Sequence, residues 1–458
     1  MRDLTQGSVP RQIMAMALPI FAGMLLQTLY YIVDLYFVSR IGDTAIAGVS
    51  AAGNVMFIVF ALTQMLGVGI VALISHAVGR KDPAEANLIF NQSLVLSLLC
   101  AALTLVVGYA ATPGYMHTLG ADAATARAGT VYLYWFLPGL ALQFAQVAMG
   151  SALRGTGIVQ PTMVVQALTV LLNIVLAPVL IAGWGSGRPL GVAGAGLASS
   201  ISIAAGVVLL GVYFFKLEKY VRLHPSMWAP RIKTWLRMLN IGLPAGGEFA
   251  LMFAYMTVIF WIIRNFGAAA QAGFGVGSRV MQSIFLPAMA VAFAAAPVIG
   301  QNYGAQRPQR VRAAFRSAAL MSSSVMLALT LICQWQAEWL IHPFSSEPQV
   351  IFVGAQFLGV ISWNFVASGI IFTCSSTFQG LGNTWPSLVS GASRLVTFVG
   401  PALWLSRQPW FEIRHLWYLS VATVSLQALV SLCLVRLELR RRLNVGVTQP
   451  ATHAQPAT

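Results

Sequence analysis

The chain has 458 residues, of which 58% are hydrophobic and only 9% are charged, and its mean hydropathy is +0.76. Soluble globular proteins carry about 25% charged residues, so this composition excludes a water-soluble fold. The formal net charge is +15, and because the basic residues lie between apolar segments we interpret them as signals of membrane topology, with no nucleic-acid partner.

The apolar segments predict an all-α polytopic membrane protein embedded in the lipid bilayer. A helix needs about 20 apolar residues to cross a membrane, and the chain contains about twelve segments of that kind. In chain order they cover residues 12–38, 45–76, 88–110, 128–150, 158–183, 191–215, 236–262, 270–299, 313–336, 350–377, 385–405 and 414–435. The strands of a membrane barrel have about ten residues each and alternate in polarity, so these segments are too long and too uniform for a barrel.

Lysine and arginine residues are distributed unevenly between the predicted loops. About nineteen fall on the side that holds both ends of the chain, and about six fall on the other side. This excess predicts that the N- and C-termini are cytoplasmic, which agrees with an even number of spans.

The two halves of the sequence repeat with a constant offset. Pro19 in ALPIFAG and Pro244 in GLPAGGE are separated by 244 − 19 = 225 positions. The same offset aligns SALRGTGIVQP at 151–161 with STFQGLGNTWP at 376–386. Each half contains six predicted helices and therefore inserts in the same orientation, as in transporters built from parallel repeats.

The repeat predicts two lobes of six helices each. We place an N-lobe at 1–215, a basic cytoplasmic linker at 216–235, a C-lobe at 236–440 and a disordered cytoplasmic tail at 441–458. The six histidines are dispersed, and neither a catalytic cluster nor a Walker A loop is present. We therefore predict an ion-driven transporter that is not an enzyme and uses no cofactor or metal.

Asp34 is the first of two acidic residues that lie inside predicted helices. A carboxylate within the membrane costs about 2.5–3.5 kcal/mol on the insertion scale and is a functional hypothesis by default. Gln27, Tyr30 or Tyr31, and Asp34 share one helix face because of their spacing. A polar face predicts a cavity; the alternative is that Asp34 reaches the outer interface and pairs with Arg40.

Glu248 is the second acidic residue inside a predicted helix, and its position near mid-membrane depth leaves two roles open. It either takes part in transport or forms a structural ion pair with Arg279 or Arg394. Asn173 is a further polar residue in an apolar segment, for which an interhelical hydrogen bond is the alternative to a functional role.

Several motifs, in this order, resemble the multidrug and toxic compound extrusion (MATE) family. They are LPIFAGMLLQTLYYIVDLYFVSRIGDTAIAGVS, VALISHAVGRKDPAEAN, ALRGTGIVQP, AAPVIGQNYGAQRPQRVRAA and FQGLGNTWPSLVSGASRLVTFVGP. The resemblance implies twelve helices in two six-helix lobes that form a V, in the inner membrane. It also implies export of lipophilic, mostly cationic compounds in exchange for inward H⁺ or Na⁺ by alternating access. We expect a monomer.

The resemblance also assigns roles to individual residues. Asp34 matches the aspartate of the first helix that binds the coupling ion. Gln27, Tyr30 and Asn173 match its polar neighbours in the N-lobe cavity, and Ser199 stands where the family often has threonine. These matches imply that Asp34 is protonated and deprotonated during transport, with the four other side chains around it.

The sequence departs from the family pattern at the fifth helix. Relatives often read NxxxDP, whereas this chain has Ala177 before its proline, and a second carboxylate is missing. Glu248 resembles the DinF-like branch more than the NorM branch, and we favour H⁺ over Na⁺ coupling. Pro19 is a candidate hinge because proline frees a backbone carbonyl. The alternative function is a flippase for lipid-linked precursors, which would need a cavity rich in arginine and lysine.

Overall fold

A computed structural model gives the fold and describes residues 1–119, 122–185, 187–344 and 346–444. Within these ranges the protein is helical, with thirteen α-helices, three short 3₁₀ turns and no β-strand. The helices are α1 (Val9–Ser39), α2 (Asp43–Gly79), α3 (Pro83–Leu119), α4 (Ala123–Gly155), α5 (Gln160–Ile181), α6 (Val192–Lys216), α7 (Ile232–Ile263), α8 (Ala268–Gly304), α9 (Pro308–Ile341), α10 (Pro348–Ile361), α11 (Asn364–Leu381), α12 (Trp385–Leu405) and α13 (Ile413–Asn444).

The helices account for the twelve predicted spans. Eleven of the described helices are long and apolar enough to cross a membrane, and the pair α10 and α11 forms a twelfth span with a bend of 59°. The predicted all-α membrane fold is therefore confirmed. A difference lies in the tenth segment, predicted as a continuous helix over 350–377, which is broken at residues 362–363.

Hydrogen bonds from α9 explain how the break between α10 and α11 is tolerated. The Thr330 hydroxyl donates to the backbone oxygen of Ser362 at 2.9 Å, and the Gln334 amide donates to the Ser362 hydroxyl at 2.7 Å. The Gln334 amide also donates to the backbone oxygen of Gly359. Carbonyl groups freed by a helix break need such partners, because lipid offers none.

The helix boundaries repeat with the offset found in the sequence. The first residues of α2, α3, α4 and α5 are 43, 83, 123 and 160, and adding 225 gives 268, 308, 348 and 385, where α8, α9, α10 and α12 begin. Short connections repeat as well: Lys81 and Gln306 both have positive φ, of 59° and 54°, and Gly157 and Gly382 have φ of 80° and 73°. The two halves thus share their turn geometry.

The described chain divides into two compact units. Unit 1 comprises Met1–Asp3 and Met14–Gly246, and unit 2 comprises Leu4–Ile13 and the chain from Gly247 onward. The chain passes from unit 1 to unit 2 inside α7, between Gly246 and Gly247, so the linker belongs to unit 1. The lobe boundaries set from the repeat remain a prediction.

Close helix packing is built in the same way in both units. A Cβ on Gly48 of α2 would lie 2.7 Å from the backbone nitrogen of Gly129 in α4. A Cβ on Gly273 of α8, the residue 225 positions later, would lie 2.9 Å from the backbone oxygen of Val350 in α10. Glycine at these crossings lets backbones approach, which is how membrane helices gain packing energy.

The C-terminal helix α13 continues to Asn444. Residues 441–444 of the predicted disordered tail are therefore helical, and the rest of that tail lies outside the described residues.

We predict that the two glycines with positive φ after α4 and α11 are needed for stability. Replacing Gly157 or Gly382 with alanine places a Cβ in the left-handed region and should lower the free energy of unfolding by about 1 kcal/mol in each case. Thermal unfolding of the purified protein in detergent measures this loss.

Gly211→Ala is the matched control for this stability measurement. Gly211 lies inside α6 with open space where a Cβ would stand, so alanine should keep or slightly raise stability. Equal stability of Gly157→Ala, Gly382→Ala and Gly211→Ala would contradict the prediction.

Candidate functional site

Asp34 lies in α1, in the second half of a helix that runs without a break through Pro19. Its side chain is only 8% exposed, and its Oδ1 atom has no hydrogen-bond partner among the described residues. Buried polar atoms are nearly always paired, so an unpaired carboxyl oxygen calls for an explanation. It can accept a proton, a cation or a new hydrogen bond without losing an existing one.

Arg40 does not compensate the charge of Asp34. The Arg40 guanidinium donates a hydrogen bond to the Tyr36 hydroxyl and stands 4.7 Å from the centre of the Tyr36 ring. The salt bridges among the described residues do not include Asp34. The alternative of an interfacial Asp34–Arg40 ion pair is therefore not what the structure contains.

Three tyrosines surround Asp34 closely enough to interact electrostatically with its carboxyl group. They are Tyr30 and Tyr31 on α1 and Tyr132 on α4. The Tyr30 hydroxyl donates to Ser199 Oγ on α6 at 2.6 Å, and Tyr31 is hydrogen-bonded to the side chain of Gln27. The predicted residues Gln27, Tyr30 and Ser199 are thus either next to Asp34 or bonded to a tyrosine that is.

Asn173 is the other predicted residue of this site. It is fully buried in α5, yet neither its amide nitrogen nor its amide oxygen has a partner among the described residues. Asp34 and Asn173 are thus two of the side chains in unit 1 that have buried polar atoms without a partner among the described residues. The predicted alternative, an interhelical hydrogen bond that satisfies Asn173, is not found.

Glu248 occupies a different kind of setting in unit 2. The Ser375 hydroxyl lies 3.3 and 3.4 Å from the two carboxyl oxygens of Glu248, and Ser387 is also hydrogen-bonded to Glu248. Ser387 donates to Ser375 at 2.8 Å, and the Gln379 amide donates to Ser375 at 3.5 Å. Hydroxyl groups from α11 and α12 therefore hold the carboxyl group.

The two arginines considered as partners of Glu248 are placed elsewhere. The Arg394 guanidinium stands 4.0 Å from the centre of the Tyr255 ring, and Arg279 is exposed. Neither forms a salt bridge with Glu248 in the part of the chain that the structure describes. The structural alternative of a Glu248–arginine pair is thus replaced by a cluster of hydroxyl groups.

Sequence reasoning missed Tyr132, Ser375 and Ser387. Tyr132 lies in the apolar stretch of α4, where an aromatic residue is most often core packing. Ser375 had a signal, because the run Cys374-Ser375-Ser376-Thr377 is polar within an otherwise apolar segment. Among the described residues, no group of three or more His, Cys, Asp or Glu side chains could hold a metal ion.

The membrane-spanning helices and the two repeated halves are the architecture of a polytopic membrane transporter. A family model described as MatE matches residues 19–179 and 244–402, which is more than half of the chain. The two matched stretches begin 225 residues apart, at the two prolines of the repeat. The chain belongs to the MatE family.

Curated relatives match along most of the chain. "Probable multidrug resistance protein YoeA" of Bacillus subtilis (strain 168) is 24% identical over 426 residues, which cover 90% of each chain. The "FAD transporter" of Shewanella oneidensis is 23% identical over 403 residues, which cover 87% of this chain and 88% of the relative.

A solved structure confirms the fold over nearly the full length. It is described as the outward-facing conformation of a multidrug resistance MATE family transporter of the MOP superfamily. The TM-score is 0.90 at 24% identity, and the match covers 96% of this chain and 98% of that chain.

We predict that the Tyr30–Ser199 hydrogen bond couples α1 to α6. Tyr30→Phe and Ser199→Ala each remove this bond, so their effects on the free energy of unfolding should not add. We expect a coupling energy of about 1 kcal/mol in a double-mutant cycle, measured by thermal unfolding.

A second cycle provides the control for this coupling. Tyr115 donates to the backbone oxygen of Ala51, not to Ser199, so Tyr115→Phe and Ser199→Ala should have additive effects. Equal coupling energies in the Tyr30 and Tyr115 cycles would contradict a stabilising Tyr30–Ser199 hydrogen bond.

Proposed function

We propose that this protein exports lipophilic, mostly cationic compounds in exchange for H⁺ entering the cell, and that Asp34 carries the proton. The observation that carries the proposal is the buried Asp34 carboxyl group, which has an unpaired oxygen and no basic partner among the described residues. A membrane carboxyl group in this state is a functional hypothesis by default. The relative YoeA is named a probable multidrug resistance protein, which supports drug-like substrates.

Proton coupling is proposed over Na⁺ coupling because of the number of carboxyl groups near Asp34. Sodium prefers several oxygen ligands, whereas a proton needs one carboxyl group. Residue 177, where relatives often have a second acid, is a fully buried alanine. Each proton that enters down a membrane potential of 100 mV releases about 2.3 kcal/mol, which can drive export.

Binding and release of the proton are proposed to act through the side chains around Asp34. A neutral carboxyl group donates a hydrogen bond, whereas a charged one only accepts. The Tyr30–Ser199 bond, the Gln27 amide and the unpaired Asn173 amide are therefore the groups that respond to the change. Pro19 is the proposed hinge through which α1 bends.

The charge of the substrate is proposed from the side chains that the helices carry. Aromatic rings and a buried carboxyl group favour a lipophilic cation. The named substrate of the Shewanella relative, FAD, carries phosphate groups, and a lipid-linked precursor would carry them too. Arg279 is exposed and Arg394 already faces Tyr255, so a cation remains the favoured class.

Several further features belong to the proposal. The protein is placed in the inner membrane as a monomer, with both termini cytoplasmic because of the lysine and arginine bias. The DinF-like branch is proposed on the position of Glu248. The N-lobe, linker and C-lobe boundaries are those of the repeat.

We predict that Asp34→Asn abolishes proton-driven export. Asparagine keeps the size of the side chain but cannot bind or release a proton. In proteoliposomes with an imposed pH gradient, the export of a cationic dye by this variant should fall to the level of empty vesicles. An imposed Na⁺ gradient at fixed pH should not drive export by the wild-type protein.

Asp122→Asn is the matched control for Asp34→Asn. Asp122 is exposed and caps α4 by accepting the Thr125 N–H at 2.6 Å. This bond holds the pKa of the Asp122 carboxyl group below its usual range. Asparagine is an equally good cap, so export should be unchanged. Equal export by wild type and Asp34→Asn would reject Asp34 as the proton carrier. Export driven by a Na⁺ gradient would reject H⁺ as the coupling ion.

We predict that Glu248 contributes to the transport rate. Glu248→Gln keeps a hydrogen-bond acceptor for Ser375 and Ser387 but removes the exchangeable proton, so pH-driven export should slow while dye binding persists. Initial export rates and dye-binding fluorescence measure the two effects separately. A variant with the wild-type rate would assign Glu248 a structural role.

A further inference from the structure

The segment Leu4–Ile13, here called the N-terminal anchor, is docked on unit 2. Leu4 is fully buried. Its backbone N–H donates to the Gln301 side chain at 3.0 Å, and its backbone oxygen accepts from the Asn302 amide at 3.1 Å. Gln301 and Asn302 lie near the end of α8 and are themselves fully buried. The backbone N–H and C=O groups of Leu4 are thus both bound by fully buried side chains.

Two arginines extend the docking along the anchor. Arg307 donates to the backbone oxygen of Thr5 at 2.6 Å. Arg310, in the first turn of α9, donates to the backbone oxygens of Gly7 at 2.9 Å and Leu4 at 3.3 Å. Arg310 also donates to the Asn302 side chain at 2.9 Å and to the Gln12 side chain at 3.5 Å. A guanidinium group provides several donors in a fixed geometry, which suits such a junction.

The anchor includes the first turn of α1. Val9 and Ile13 are buried and belong to unit 2, whereas α1 from Met14 onward belongs to unit 1. The helix that carries Asp34 therefore starts on one unit and continues in the other. Whatever holds the first turn determines where the rest of the helix starts.

Unit 1 holds the start of α7 in a comparable way. Three amide side chains at the start of α3, those of Asn87, Asn91 and Gln92, each donate a hydrogen bond to the linker backbone and accept one from it. Their partners are the backbone groups of Tyr220, Arg222, His224, Met227, Ala229 and Arg231. The segment before each of the two equivalent helices is thus fixed by side chains near the start of α3 or α9.

The repeat makes the comparison residue by residue. Adding 225 to Gln12 and Glu85 gives Arg237 and Arg310. In unit 1 the Arg237 guanidinium contacts the Glu85 carboxylate at 2.9 Å, and in unit 2 Arg310 contacts Gln12 at 3.5 Å. The residue types differ, but the positions that meet are the same. A contact kept in place while its chemistry changed points to a shared mechanical role.

We propose that the N-terminal anchor fixes the first turn of α1 and that Arg310 is the positioning residue that holds it. This rests on the proposed function, in which α1 carries the coupling carboxyl group. With its first turn held, α1 changes only beyond Ile13, in the part that contains Pro19 and Asp34. Protonation of Asp34 is then converted into bending of α1 instead of a shift of the whole helix.

Hydrogen–deuterium exchange of the full-length protein in lipid nanodiscs tests the anchor without a transport assay. Between low and high pH, and between wild type and Asp34→Asn, exchange in residues 14–34 should differ while exchange in residues 4–13 stays constant. In Arg310→Ala, exchange in residues 4–13 should rise about tenfold or more, because bonds to a charged donor are lost. The first turns of α1 beyond Ile13 should lose protection as well.

Arg316→Ala is the matched control for Arg310→Ala. Arg316 lies on the same helix, is exposed and makes no hydrogen bond to the anchor among the described residues. Its loss should leave exchange and pH-driven dye export at wild-type values, whereas Arg310→Ala should slow export.

The outcomes separate the anchor from the proposed function. If Arg310→Ala and Arg316→Ala show the same exchange, or if Arg310→Ala frees the anchor without slowing export, the proposal is overturned. If the wild type shows no pH-driven export, the proposed function fails, and the anchor is then tested by hydrogen–deuterium exchange alone. Loss of protection beyond Ile13 in Arg310→Ala, but not in Arg316→Ala, then supports the anchor, and its absence rejects it.

Discussion

Every backbone N–H and C=O group inside a lipid bilayer must find its hydrogen-bond partner within the protein, and this constraint governs the whole molecule. It makes each described span a helix, and it restricts where a helix can break. The break between α10 and α11 exists because Thr330 and Gln334 of the neighbouring helix bind Ser362 and Gly359. Irregular backbone occurs where side chains can replace water.

The same scarcity of partners gives the carboxyl groups of Asp34 and Glu248 different settings. Glu248 is bonded to the hydroxyl groups of Ser375 and Ser387, which hold its carboxyl group in place. Asp34 has an oxygen without a partner and can take one directly. Residues of one chemical class, on equivalent helices of the two halves, are thus suited to different tasks.

The repeat shows which features the fold needs and which are free to change. Helix starts, positive-φ positions and glycine crossings recur at an offset of 225, because they are set by backbone geometry. Polar contacts recur in position but with other residue types: the ion pair of Glu85 with Arg237 corresponds to the hydrogen bond of Arg310 with Gln12. Shape has been kept while chemistry diverged, so the two halves need not carry the same polar side chains.

The sequence by itself determined the membrane class, the twelve spans, the repeat and the two acidic residues inside apolar helices, because these depend on local hydrophobicity and on spacing along the chain. Only the tertiary structure decided which groups meet. The pairing of Tyr30 with Ser199, the hydroxyl groups around Glu248 and the interaction of Arg40 with Tyr36 join side chains by rotamer and helix packing. Sequence spacing places a residue on a helix face, but its partner on another helix depends on how the helices cross.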